Sequence, residues 1–166
     1  ENFAMPKRYF AHAIRCLGSM KNFCWNIVVP GTLVGPGEQL DSNKKHFFNG
    51  AIFRAVLAKQ NGDEFMKFGD MAATREITRV SSFADEIVLK NVLSDQIINS
   101  KHTEKVVVGS VYEWIEQSFP SLRVVDGDTR FHAQKAKIIS SNSENSQNLN
   151  HDLNCLVKYY EDALNA

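Results

Sequence analysis

Acidic residues are missing from the whole stretch between Asn2 and Gly37, although the 166-residue chain balances 19 lysines and arginines against 19 aspartates and glutamates. Zero net charge argues against a free, strongly electrostatic nucleic-acid binder, while its segregation along the chain leaves RNA contact open. No apolar run approaches the roughly 20 residues that a membrane-crossing helix needs, so no membrane is expected among the partners. Cysteine is scarce: Cys16, Cys24 and Cys155 are odd in number and form no Cys-x-x-Cys pair. That argues against a zinc site or redox motif, and free, buried thiols in a reducing compartment are expected. His12, His46, His102, His132 and His151 show no metal-ligand spacing and read as structural or surface residues. Neither a metal nor a cofactor is expected. Ser110 follows Gly109 without the glycine pattern of a nucleophile elbow. The Pro30-Gly31 and Gly35-Pro36-Gly37 steps lack the Lys-Ser/Thr pair of a phosphate-cradling loop and read as a plain connector. Asp126 and Asp128 flank Gly127 in what reads as a hairpin turn, since a calcium loop needs more carboxylates.

What is present is ordinary for one soluble globular domain: 43% apolar and 23% charged residues, and enough length to bury a core. The acid-free segment interleaves Lys7, Arg8, Arg15 and Lys21 with Phe3, Tyr9, Phe10 and Ile14. It fits a remnant of an organellar targeting region, a basic arm lying on RNA, or a solvated helix. A mitochondrial location is the expectation taken forward, and the four basic residues are the candidates for RNA phosphate contacts.

Helical periodicity runs through most of the chain. A helix over Pro6 to Met20 is expected to end at Gly18, with Phe10, Ala13, Ile14 and Leu17 on one face. Asp41, Ser42 and Asn43 are N-cap candidates for a helix from Lys44 to Lys59, whose face carries Phe47, Phe48, Ala51, Ile52, Ala55 and Leu57. Gln60 to Asp63 is a turn signal, and Asp63 would cap a helix holding Phe65 and Phe68. Met71 to Val80 continues helical with Arg75, Glu76 and Arg79 exposed. The run from Phe83 to Ser100 carries a stripe of Ile87, Val88, Val92, Leu93, Ile97 and Ile98. Val106 to Val108 fits a buried strand by propensity or leads into a helix reaching Ser118. Pro120 stops that helix, and Leu122 to Phe131 reads as a small β-hairpin around Asp126-Gly127. Residues 140–150 are Ser/Asn-rich and read as a flexible linker before a closing helix at 151–166.

Within this order, Asp63-Glu-Phe-Met-Lys-Phe-Gly-Asp-Met-Ala-Ala73 resembles the signature stretch of the ribonuclease III domain, with Gly69-Asp70 in register. Gly50 to Arg54 before it, Leu89 to Asp95 after it, and Gly109 to Ile115 further on resemble that family's other short motifs in the same order. The resemblance spans about Phe47 to Gln117. It implies a mainly α-helical fold: a basic extension at 1–40, a ribonuclease III-like helical domain at 41–139 with the small hairpin near 122–131, then the linker and closing helix.

The family cleaves RNA with divalent metal held by four clustered acids. Its four positions fall on Met66, Asp70, Ser110 and Glu113, so two carboxylates are lost, and a thioether and a hydroxyl cannot replace them at a hard-cation site. The resemblance therefore implies a degenerate, non-catalytic site without metal. It also implies a structural subunit of a mitochondrial ribonucleoprotein, the large ribosomal subunit first or an RNA-editing or processing complex. Expected partners are other protein subunits, a second ribonuclease III-like chain among them, and structured RNA. Two rivals stand beside it: an active Mg-dependent double-stranded-RNA endonuclease using Asp70, Glu113 and Glu64 or Glu116, and a helical adaptor that binds protein alone.

Overall fold

A computed structural model describes residues 4–38, 40, 46–68, 71–89, 95–126 and 149–165. Helix α1 (Ala4–Lys21) opens the described chain, with Pro6 in its first turn, where the missing N–H costs nothing. It runs past Gly18 and stops at Asn22, whose positive φ of 52° turns the backbone. Gly18 instead makes room for Trp25, whose indole carbon would lie 2.5 Å from any Cβ placed there. The β-branched stretch that follows forms β1 (Asn26–Val29), and β2 (Thr32–Val34) comes after the Pro30-Gly31 step.

Helix α2 (Phe47–Asn61) is the centre of the molecule. It ends on Gly62 at φ 73°, where the Asp63 N–H donates to the Ala58 carbonyl at 2.9 Å, so the expected turn at residues 60–63 is a left-handed helix stop. The N-cap candidates Asp41, Ser42 and Asn43 lie outside the described residues. Then come β3 (Phe65–Phe68), β4 (Thr74–Arg79), α3 (Val80–Leu89), β5 (Gln96–Asn99), β6 (Thr103–Val107), α4 (Val108–Ser118), β7 (Arg123–Asp126) and α5 (Leu149–Leu164).

Among the described residues seven strands make three small sheets. β1 pairs parallel with β5, β3 parallel with β7, and β4 sits between parallel β2 and antiparallel β6. The core lies where α2 meets α4, α5 and β3: Phe48, Ile52, Val56, Val111, Ile115, Leu153, Leu156 and Tyr160 are wholly buried. Phe53 meets the Tyr160 ring edge-on at 5.2 Å, and Phe47 meets Tyr112 at 6.1 Å.

The mainly α expectation is corrected to an α/β architecture. Met71–Val80 is not one helix: Thr74–Arg79 is a strand whose backbone is claimed on both edges, by β2 and by β6, and Val80 opens α3. Phe65 to Phe68 are not on a helix either. Phe65 is 61% exposed and its neighbour Met66 5%, the alternation of a strand with one face in the core. The helix expected over Phe83 to Ser100 is described as far as Leu89; residues 90–94 lie outside the described residues, and the chain enters β5 from Asp95 at a positive φ of 55°. Of its expected stripe, Ile87, Val88 and Ile97 are exposed, and Val92 and Leu93 lie outside the described residues. Leu122–Phe131 is not a hairpin in its described part, since Arg123–Asp126 pairs parallel with β3, a partner far away in sequence; residues 127–131 lie outside the described residues. Val106–Val108 divides between its two readings, with Val107 closing β6 and Val108 opening α4. All three cysteines are exposed rather than buried. Residues 140–148 of the expected linker lie outside the described residues, and 149–150 already belong to α5.

Candidate functional site

The junction of the β1–β5 pair with the three-stranded sheet is drawn tight at Gly31. A Cβ there would lie 3.0 Å from the Glu76 carbonyl carbon and oxygen and from the Thr103 methyl, so only glycine lets the backbones approach this closely. Its N–H donates to Thr78 Oγ1 at 2.9 Å, and Thr78 Oγ1 lies 3.0 Å from Thr103 Oγ1. On the β5 side Ser100 N–H donates to the Val29 carbonyl at 2.9 Å, and Ser100 Oγ donates to the buried Glu86 carboxylate at 2.6 Å.

Beyond β2 the chain turns back along the start of α2. Two side-chain bonds clamp the loop to the helix: Asn49 Nδ2 donates to the Gly35 carbonyl at 3.2 Å, and the His46 N–H donates to Glu38 Oε1 at 3.1 Å. Gly35 is required, since a Cβ there would press to 3.0 Å against Val80 Cβ.

A cleft of about 1480 Å³ opens between this loop, the first half of α1, the β1 strand and the start of β4. Ile27, Val29, Leu33 and Ile97 give it apolar walls, and Lys7, Arg8 and Arg75 bring positive charge to it. Arg75 is half-buried and anchored, its Nη1 donating to the Thr74 carbonyl at 3.0 Å. Lys7 and Arg8 are exposed at the rim. Asn49 Oδ1 and Glu38 Oε2 are buried with no donor among the described residues. The cleft thus combines half-buried and exposed cations, apolar floor and acceptors awaiting a donor, the mixture expected of a polar, anionic ligand with an apolar face.

The residues singled out from the sequence do not all come here. Of the four basic candidates, Lys7 and Arg8 line the cleft, Arg15 borders a separate hollow beside Trp25 and Asp95, and Lys21 is exposed in the last turn of α1. Met66 is in the core on β3, and Asp70 lies outside the described residues. Ser110 is exposed in the first turn of α4, where its Oγ donates to the Val107 carbonyl at 2.8 Å; Glu113 is exposed on the same helix. Glu64 is exposed before β3, and Glu116 Oε1 accepts the Val124 N–H at 2.9 Å, a bond that positions β7. Among the described residues no group of three His, Cys, Asp or Glu could hold a metal ion. Arg75, Asn49 and Glu38 were missed. Arg75 reads as exposed on a helix, and the glycine steps around residues 31–37 read as a connector, yet those glycines were the signal for a crowded loop.

No protein-family model and no curated protein matches the chain. Solved structures do. The UDP-N-acetylglucosamine 4-epimerase from Methanobrevibacter ruminantium, in complex with UDP-N-acetylmuramic acid, superposes with a TM-score of 0.78 at 14% identity over 97% of this chain and 54% of that one. The UDP-glucose 4-epimerase of Thermus thermophilus in complex with NAD gives 0.67 at 15%, over 97% and 54%. A GDP-L-fucose synthetase from Naegleria fowleri bound to NADP gives 0.65 at 16%, over 98% and 52%. The chain spans about half the length of these structures. At such identities the likeness concerns the fold, an α/β fold shared with nucleotide-sugar epimerases and related Rossmann-type enzymes.

That fold overturns the ribonuclease III resemblance, whose motif helix at Met66 is a strand and whose 83–100 segment ends in one. The readings that hung on it go with it: the non-catalytic ribosomal or RNA-processing subunit and the RNA endonuclease. The expectation of a non-enzyme is corrected as well, because the solved structures sharing this fold are enzymes.

The fold also brings a dinucleotide into question. Its pyrophosphate is held by a Gly-x-Gly-x-x-Gly turn between a strand and a helix. The nine glycines of this chain nowhere take that spacing; Gly35-Pro36-Gly37 has no third glycine. The residues present do not fit NAD or NADP.

Proposed function

We propose that this chain is the nucleotide-sugar-binding half of an epimerase- or dehydratase-type enzyme, and that the ligand lies in the cleft between α1, the β2–α2 loop and β4. The observation that carries the proposal is the cleft itself. Arg75 offers a rigid guanidinium, with Lys7 and Arg8 beside it, to a diphosphate. The apolar walls suit the faces of a base and a sugar ring. Its volume exceeds that of a drug-sized pocket, as an extended ligand requires. The similar epimerase from Methanobrevibacter ruminantium was solved with UDP-N-acetylmuramic acid, a nucleotide sugar, which supports the choice of ligand class.

The redox half of such an enzyme would come from residues outside this cleft, on a parallel-sheet unit joined along β1. Strand β1 pairs only with β5 among the described strands, and parallel sheets are stable when extended and covered on both faces. Helix α1 carries an exposed apolar side that would cover such a sheet or meet another protein subunit.

Titration calorimetry of the chain with UDP, GDP, UDP-glucose and GDP-mannose tests the reading. At least one nucleotide should bind at or below millimolar concentration, and Arg75→Ala should weaken it about ten- to a hundredfold, the worth of a charge-assisted hydrogen bond. Absence of binding by all four at millimolar concentration would refute it.

A further inference from the structure

The geometry points to the Asn49–Glu38 corner as the subsite for hydroxyl groups of a sugar ring, the part of the cleft that tells a nucleotide sugar from the bare nucleotide. This rests on the nucleotide-sugar reading above.

The corner is a built one. The loop and the helix start run past each other and are joined at Gly35 to Asn49 and at Glu38 to His46. Each bond uses up one polar end of a side chain and fixes the other. Asn49, only 3% exposed, gives its Nδ2 to Gly35, which leaves Oδ1 without a donor among the described residues. Glu38 spends Oε1 on the His46 N–H and leaves Oε2 in the same condition. A buried acceptor left unmet is destabilising, so two on one short clamp are arranged for a visitor rather than for the fold.

Both free atoms accept and neither donates, and that selects among ligand groups. Phosphate oxygens are acceptors and would be repelled, so the diphosphate belongs with Arg75, Lys7 and Arg8. Uracil offers one N–H between two carbonyl oxygens, so a second acceptor would face an acceptor, whereas guanine's neighbouring N–H groups and the ribose diol would suit two acceptors as a hexose does. A loss shared by nucleotide and conjugate would assign the corner to them. A metal ion would want six or more oxygens, and two, one of them a neutral amide, fall well short. A hexose ring presents neighbouring hydroxyls that each rotate to donate, the complement of acceptors without a donor. A site that hydrogen-bonds a hydroxyl also rejects the analogue lacking it, because its own buried groups are then left unpaired.

The experiment compares each nucleotide with its sugar conjugate by titration calorimetry: UDP against UDP-glucose, and GDP against GDP-mannose. In the unaltered chain the conjugate of one pair should bind at least tenfold more tightly than its nucleotide. Asn49→Leu should remove that advantage while the bare nucleotide changes less than twofold. Glu38→Gln keeps an oxygen for the His46 N–H, so it is the variant to rely on if Asn49→Leu does not fold, and it should cut the advantage at least fivefold. The subsite is overturned if the conjugate binds no tighter than its nucleotide, or if nucleotide and conjugate weaken in step in both variants. Should none of the four ligands bind, the cleft reading fails and takes the subsite with it, an outcome distinct from a nucleotide that binds without help from its sugar.

Discussion

The two sides of this molecule use the same kind of apolar residue and treat it differently. Around α2, the side chains of Ile52, Val56, Ile115, Leu153 and Leu156 are wholly hidden. On the α1 and β5 side, Tyr9 is 66% exposed, Met20 77% and Ile97 51%. Every helix of the first region has a covered apolar face, because α4 and α5 close over α2. In the second region the helix and the strand pair are formed, but no described element covers their outer side. An amphipathic pattern states that a face is apolar; it does not state what lies against it. The first region reads as a self-sufficient core and the second as a surface shaped for something else.

Removing the charged tie of the first region should have the largest effect. Arg79 on β4 donates to Glu104 on β6 and to Asp152 on α5, so three elements share one guanidinium. Burial works against its charge, but the hydrogen bonds and charges of Glu104 and Asp152 outweigh that and raise its pKa, so it stays ionised. Its partner Glu104 has a side chain only 8% exposed. Arg79→Ala would strand that carboxylate, at about 3–5 kcal/mol. Urea denaturation measures it. A loss below about 1 kcal/mol would show that the Arg79 tie does not hold α5 in place, and the contrast between the two regions would rest on burial.

An alkaline titration separates the regions in another way. Tyr112 and Tyr160 are both fully buried. Burial pushes both phenols well above their ordinary value of 10.0, with the Glu38 charge adding to the rise at Tyr160. Below pH 10 both are protonated in the folded and the unfolded chain, and their contribution to stability is complete. Above it the unfolded chain releases two protons that the folded chain keeps. Stability should therefore fall by about 2.7 kcal/mol per pH unit, 1.36 for each tyrosine. Tyr112→Phe or Tyr160→Phe should halve that slope in thermal melts taken from pH 9 to 11. A slope that neither variant changes would place the alkaline transition outside the core.

The sequence made the first region's helices legible and hid the strands. α2, α4 and α5 show apolar residues at helical spacing, and packing used those faces. β3 and β4 were read as helix because Phe-Met-Lys-Phe and Thr-Arg-Glu-Ile-Thr-Arg are short, and their partners lie far away along the chain. Met66 meets Val124 of β7, and Glu76 meets Lys105 of β6, pairings that no local window contains. Tertiary hydrogen bonding therefore decided what local propensity left open. The cleft was hidden for the same reason. Lys7 stood out by its acid-free surroundings, but Asn49 and Glu38 acquire meaning only when the loop folds back on α2. Order of motifs was also a poor guide: the Gly69-Asp70 step suggested a metal-site helix, and the residue just before it closes a strand.

The smallest effect on stability carries the last test of the contrast. Met5, Tyr9, Leu17 and Met20 project from one broad side of α1, away from buried Gly18 and its contact with Trp25. If that side is a surface awaiting cover, Tyr9→Ser with Met20→Ser removes apolar area that the folded chain does not bury. Unfolding free energy should then change by no more than about 0.5 kcal/mol per site. Binding of a dye that reports exposed apolar surface should drop, and so should any concentration-dependent association seen by sedimentation. A loss of about 2 kcal/mol or more would mean that the two side chains already sit in a core, and that the α1 side stands on its own as the α2 side does. Unchanged stability with lower dye binding would instead leave α1 as an apolar surface that the described chain does not cover.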